Sequence, residues 1–87
     1  MDAQEIMSFP CEFPVKAMGN SAPDFAEHVA AIVRRHAPGF NEAAVSSRSS
    51  SGGKFTAVTV MILATSRAQL EAIYQDFHQD ERVLYVI

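Results

Sequence analysis

The sequence of 87 residues predicts an α+β fold, a two-layer sandwich in which two helices cover one face of a four-stranded antiparallel sheet. The longest apolar run, from Lys54 to Thr65, is rich in β-branched residues and predicts a central strand. Two other stretches repeat apolar residues at helical spacing, and they alternate with shorter strand-like stretches. The resulting order, strand, helix, strand, strand, helix, strand, is that of a ferredoxin-like βαββαβ sandwich.

The first half of the chain predicts a strand and a helix. The strand is expected from Phe13 to Met18, where side chains alternate between two faces. Ser21, with Asp24 three residues later, is typical of a helix N-cap and its capping-box partner, so a helix should begin there and end at Pro38-Gly39. The buried stripe of this helix is predicted to contain Phe25, Val29, Ile32, Val33 and His36.

The second half predicts an edge strand, the central strand, a helix and a last strand. The small, polar stretch after Phe40 favours a weak edge strand from Ala43 to Arg48 and a flexible loop up to Lys54. Ser66 and Gln69 predict the cap of the second helix, and the last strand is expected from Arg82 to Ile87. The buried stripe of the second helix is predicted to contain Leu70, Ile73, Tyr74 and Phe77.

Length, charge and cysteine content restrict the class of protein. We expect a flexible N-terminal lead-in over residues 1–8 and a single domain over residues 9–87. The net charge of −3 and the pI near 5.4 argue against a nucleic-acid partner. The longest apolar run is shorter than the roughly 18 residues of a membrane span, and Cys11 is the single cysteine. We therefore expect a cytoplasmic protein with no membrane partner.

The uncovered sheet face is the predicted interaction surface. When both helices lie on one face, the opposite face keeps apolar side chains that monomers usually cover or use. We expect a homodimer or a protein partner to bind there. The predicted interaction residues are Met18, Phe55, Met61, Leu63 and Tyr85.

The sequence contains no recognised motif for catalysis or metal binding. The sequence contains no CxxC, HxxxH or HExxH spacing, so we predict no metal, no cofactor and no catalytic residue, and the chain is not expected to be an enzyme. One alternative is a small enzyme that uses Cys11 or His36. A less favoured alternative is RNA binding, because GGKFTAVTV is similar to the third-strand motif of an RNA-recognition sheet; Ala57 and Thr59, however, replace the stacking aromatics.

Four segments carry a resemblance to a known family: FPCEFPVKAMG, VRRHAPG, SSGGKFTAVTV and ATSRAQLEAIYQDF. With them the chain resembles, over nearly its whole length, the YbeD-like family of small bacterial proteins of unknown function, sometimes labelled lipoate regulatory proteins. The lipoate label reflects neighbourhood with lipoate-synthesis genes, so the resemblance implies association with lipoate metabolism. It also implies an ACT-like variant of the fold and a regulatory or binding module, with a lipoate-pathway accessory enzyme as the alternative.

The resemblance also implies a position for a small-molecule effector. ACT modules usually bind amino acids at the loop between the first strand and the first helix, often at a dimer interface. By position, the ligand-binding residues would be Gly19, Asn20 and Ser21. This loop lacks the Asp and the Pro-Gly turn of the usual ACT pattern.

Overall fold

The structure is a computed structural model that describes residues 8–86, so most of the predicted lead-in over residues 1–8 lies outside the described residues. The helices and strands follow the predicted βαββαβ order, which confirms the fold class. A short 3-10 turn, Glu42–Ala44, precedes the second strand. The elements are β1 (Cys11–Asn20), α1 (Phe25–Arg34), β2 (Val45–Ser49), β3 (Phe55–Ala64), α2 (Arg67–Gln79) and β4 (Val83–Val86).

The four strands form one antiparallel sheet in the order β2-β3-β1-β4, so β1 and β3 are central as expected. β1 pairs with β3 over all ten of its residues, which explains why it is longer than the predicted Phe13–Met18 strand. Pro14 is tolerated inside this central strand because β4 pairs only with Ala17, Met18 and Gly19. On that side of β1, Pro14 therefore interrupts no ladder.

The core lies between the sheet and the two helices. Alternate residues of β1 and β3, such as Val15 and its partner Val60, are fully buried against the helices. The helices contribute apolar residues at the predicted spacing, and burial of each valine, leucine, isoleucine or phenylalanine among them stabilises the fold by about 1.5–3 kcal/mol. The buried helical residues are Phe25, Val29, Ala30, Ile32 and Val33 of α1 and Leu70, Ile73 and Phe77 of α2.

Two residues predicted in the buried stripes lie at their margins. His36 follows the end of α1 and is partly exposed, because its Nε2 lies 2.7 Å from the Asp76 Oδ2 and not in the core. Its assignment to the stripe is therefore wrong. Tyr74 is half-buried with its ring edge against Phe77, and burial raises the pKa of its hydroxyl.

The predicted cap of α2 is confirmed and that of α1 is wrong. The Ser66 hydroxyl accepts a hydrogen bond from the Gln69 N–H at 3.1 Å. α1 instead begins after Asp24, whose side chain makes no capping bond. Ser21 extends the sheet: its N–H donates to the Lys54 carbonyl at 3.0 Å, and its hydroxyl lies 2.8 Å from that of Thr56. Pairing with β3 thus takes the hydroxyl that would have capped the helix.

Both edge strands begin later than predicted, at Val45 and Val83, and the predicted end of the last strand at Ile87 lies outside the described residues. β2 begins at Val45 because the preceding residues form the 3-10 turn, in which the Ala43 N–H donates to the Asn41 Oδ1 at 2.8 Å. The loop to β3 turns at Gly52 and Gly53, whose φ angles of 86° and 73° favour glycine. β4 spans four residues and its pairing with β1 contains one bulge. Across residues 8–86, neither helix has the length and apolar character needed to cross a membrane.

Candidate interaction face

The face of the sheet opposite the helices is called the open face here. The register identifies its side chains, because residues that alternate with buried Val15 and Val58 must point the other way. Residues that pair across neighbouring strands form rows on this face. The open face consists of Glu12, Pro14, Lys16, Met18 and Asn20 of β1, Ser46 and Arg48 of β2, Phe55, Ala57, Thr59, Met61 and Leu63 of β3, and Tyr85 of β4.

All five predicted interaction residues lie on the open face. Met61, Leu63 and Tyr85 are 40%, 58% and 61% exposed. Met18 and Phe55 are half-buried between their neighbours. Met18 and Tyr85 are direct cross-strand partners, whereas Leu63 lies toward the other end of the sheet. The apolar residues therefore extend along the length of the face.

Two cations belong to this face, and a third lies at its border. Lys16 lies in its centre, opposite Thr59, and Arg48 lies opposite Ala57 in the row that continues to Met18 and Tyr85. Lys54 lies at the border, with its Nζ 5.4 Å from the centroid of the Phe55 ring. Among residues 8–86, the other four cations form ion pairs with carboxylates, and these three do not. The ion pairs are Arg34 with Glu27 and Glu42, Arg35 with Asp76, Arg67 with Glu71, and Arg82 with Asp24.

The described charges are consequently divided between the two sides of the molecule. The open face and its border carry Lys16, Arg48, Lys54 and one carboxylate, Glu12; three positive charges and one negative charge give +2. The helical layer and its connections carry four arginines and seven carboxylates, which give −3. A protein of net negative charge thus presents one positive face.

These cations are not among the interaction residues predicted from the sequence. For Lys16 a signal was available, because it alternates with Ala17 and shares a face with Met18 in the first strand. For Arg48 the pairing with Ala57 depends on the register of the β2–β3 hairpin, which composition does not specify.

The predicted ligand-binding residues Gly19, Asn20 and Ser21 have three different surroundings. Gly19 is buried beneath the ring of Phe25, and Asn20 is exposed on the open face. Ser21 borders an open cavity of about 400 Å³ on the helical side of the sheet, between β2 and the start of α1. Three more hydroxyls line this cavity, those of Ser47, Ser49 and Thr56.

Two polar contacts connect the start of α1 to the turn that precedes β4. The Asp80 Oδ2 lies 2.8 Å from the His28 Nε2, and Arg82 donates two hydrogen bonds to Asp24 at 2.8 and 3.2 Å. The hydrogen bond from Arg82 lowers the pKa of Asp24. Burial acts to raise the pKa of Asp80, but hydrogen bonds from His28 and from the Arg82 N–H outweigh it and lower that pKa. Within residues 8–86, no cluster of three or more potential metal ligands occurs.

The lowered pKa of Asp80 predicts a loss of stability in acid. The folded protein binds the proton more weakly than the unfolded chain, so the stabilisation is present above the ordinary pKa near 4 and is lost as the pH falls through the folded pKa. The unfolding free energy of Asp80→Asn should therefore fall less than that of the wild type between about pH 5 and about pH 2. The difference between the two falls should be at most about 1 kcal/mol. Urea unfolding at a series of pH values measures this slope. The matched control is Glu81→Gln at the exposed neighbouring carboxylate, and an unchanged slope in Asp80→Asn would contradict the assignment.

Comparison with known proteins identifies relatives along the whole chain. Residues 4–87 match the family described as "Protein of unknown function (DUF493)". "UPF0250 protein NE1487" of Nitrosomonas europaea is 37% identical over 87 residues, which cover 100% of both chains. A "UPF0250 protein" of Chromobacterium violaceum is 48% identical over 73 residues, covering 84% of this chain and 82% of the relative. Another "UPF0250 protein", of Paraburkholderia phytofirmans, is 44% identical over 72 residues, covering 83% and 81%. The predicted family is confirmed, and the chain belongs to the YbeD-like family of proteins of unknown function, DUF493.

Proposed function

We propose that the chain is a non-enzymatic regulatory module that binds another protein through the open face. The observation that carries the proposal is the exposure of Met61, Leu63 and Tyr85 on one face of the sheet. Exposed apolar side chains grouped in this way are typical of protein-binding surfaces. The proposal includes a cytoplasmic location, which is supported by Cys11, a lone thiol that cannot form a disulfide within the chain.

The dimensions of the open face favour a protein over a small molecule. Leu63 pairs with Glu12 and Tyr85 pairs with Met18, so these exposed side chains are separated by six residues along β1. At about 3.4 Å per residue, the separation is roughly 20 Å. A metabolite cannot contact both ends of such a surface, whereas a protein partner can.

His28 of α1 and His36, which follows the end of α1, have structural roles that favour binding over catalysis. His28 and His36 each lie within hydrogen-bond distance of a carboxylate on another element, Asp80 and Asp76. The His36 carbonyl also accepts a hydrogen bond from the Gln69 side chain at 2.9 Å. These contacts hold α1 against α2. A link to lipoate metabolism is supported by the family resemblance alone.

A lipoylation assay in cells carrying Cys11→Ala or His36→Ala tests the alternative that the chain is an enzyme of the lipoate pathway. That alternative requires a loss of lipoylation in one of these variants.

Site-specific photo-crosslinking in the cells of the source organism tests the proposal. A benzophenone side chain at position 63 on the open face should form a discrete adduct with one other protein, identified by mass spectrometry. The matched control is position 68 on the exposed side of α2, which should form no such adduct. The purified partner should then bind the wild-type chain and not Tyr85→Asp. A benzophenone at position 61 of the open face provides a second probe. Adducts at position 68 only, or a lack of adducts at both positions 61 and 63, would count against the open face as the binding surface.

A small-molecule effector is a second proposal, supported by the four hydroxyls around the cavity at Ser21. Converging hydroxyls can bind the polar groups of a metabolite. A thermal-shift screen that includes amino acids and lipoate should yield a compound that raises the melting temperature. Ser47→Leu, which fills the exposed cavity, should abolish the shift; an equal shift in this variant would exclude the cavity.

A further inference from the structure

The chemistry of the open face identifies the kind of partner surface that it fits. We infer that the open face binds an acidic protein segment in which carboxylates are interspersed with apolar side chains. This inference rests on the proposed function and adds the charge of the partner. It is carried by Lys16, Arg48 and Lys54, the three described cations that have no carboxylate within ion-pair distance among residues 8–86.

The cations are placed among the apolar residues and not apart from them. Arg48 begins the row that continues through Ala57 and Met18 to Tyr85. Lys16 lies two residues from Met18 on the same strand, which corresponds to about 7 Å on the same face. An extended segment that lies along this row would therefore place apolar side chains on Met18 and Tyr85. Its carboxylates would lie beside Lys16 and Arg48.

The arrangement disfavours a second copy of the chain on this face. Two open faces brought together would each present a charge of +2 to the other. Lys16 lies near the centre of the face, so a two-fold axis there would bring the two ammonium groups close together. Like charges directly opposite each other destabilise an interface. An acidic partner instead supplies the missing counter-charge.

The same face is poorly suited to a nucleic acid. Phosphate backbones are bound by several cations and by aromatic platforms for the bases. Here the Lys54 ammonium lies over the ring of Phe55, so Tyr85 is the one exposed aromatic side chain of the open face. Glu12 and the negatively charged helical layer would repel a long phosphate chain. Separate carboxylates on a polypeptide match the few, spaced cations better.

Binding of a short fluorescein-labelled peptide in which glutamates alternate with leucines tests the inference. Anisotropy titrations should show binding to the full chain that weakens as NaCl is raised from about 50 to about 300 mM. The double variant Lys16→Glu with Arg48→Glu should weaken binding about tenfold or more. The matched control, Arg35→Glu with Arg67→Glu, changes the net charge equally on the helical layer and should retain affinity within about twofold.

Four results would overturn the inference. It is wrong if the peptide does not bind, if both double variants weaken binding equally, or if a single-stranded RNA of similar length binds more tightly. It is also wrong if sedimentation shows a dimer that Leu63→Asp dissociates, because the occupant is then a second copy. The crosslink at position 63 does not depend on the partner's charge. A heterotypic adduct there without peptide binding would remove the acidic partner and leave the proposed function intact.

Discussion

Gly19→Ala should be the most damaging single substitution at a glycine of this chain, with a loss of about 3 kcal/mol or more of unfolding free energy. A Cβ at this position would overlap the carbonyl oxygen of Arg82 and would lie 2.6 Å and 2.7 Å from two carbons of the Phe25 ring. Gly19 lies where β1, β4 and the first turn of α1 meet, and a bulge occurs in the β1–β4 pairing there. Even one methyl group therefore requires the Arg82 backbone and the Phe25 ring to move. Urea denaturation followed by circular dichroism measures the effect.

Gly39→Ala provides the matched control for this substitution. Apart from its chain neighbours, no atom of residues 8–86 lies within 4 Å of a Cβ built at Gly39, so the unfolding free energy of Gly39→Ala should change by no more than about 0.5 kcal/mol. Combining Gly19→Ala with Phe25→Leu should not restore stability, because the Arg82 carbonyl oxygen remains in place. Near-wild-type stability of Gly19→Ala would show that the Arg82 carbonyl does not approach Gly19 this closely.

Phe77→Ala should cost about 3–5 kcal/mol of unfolding free energy. The Phe77 side chain is fully buried in the core between α2 and the sheet, with its ring 6.2 Å from that of Tyr74. Its removal would leave a cavity in a domain too small to contain a second core. Chemical denaturation monitored by tyrosine fluorescence and circular dichroism measures the loss.

Phe55→Ala is the corresponding control on the open face. Phe55 is half-buried, and its substitution removes the contact with the Lys54 ammonium, so the expected cost is about 1 kcal/mol. The difference between the two Phe→Ala variants tests the two-layer description directly. Equal losses would mean that the open face is as closely packed as the helical face, and they would contradict its assignment as a free surface.

The fold could be predicted where one local signal decided each element. The spacing of Leu70, Ile73 and Phe77 specified the buried side of α2, and Ser66 with Gln69 specified its start. The β-branched run of β3 was long enough to exclude a helix. These signals depend on neighbours within a few residues, which is why they are visible without coordinates.

The interaction face could be predicted only in part, because its composition depends on contacts between distant segments. The apolar residues followed from alternation within each strand, as for Met61 and Leu63. The position of Arg48 in the same row as Tyr85 depends on two separate registers, one of them across a bulge. Ser21 shows the same limit: a capping pattern was present, but pairing with Thr56 on β3 used its hydroxyl.

Chemical-shift mapping of the acidic peptide on the isotope-labelled chain shows which face of the protein the peptide contacts. We expect the largest amide shifts at residues of the open face, including Lys16, Met18 and Tyr85. Amides of the helical layer, such as those of Ala31 and Glu71, should not shift. Shifts confined to the helices, or to the cavity lined by Ser47, would contradict the open face as the binding surface.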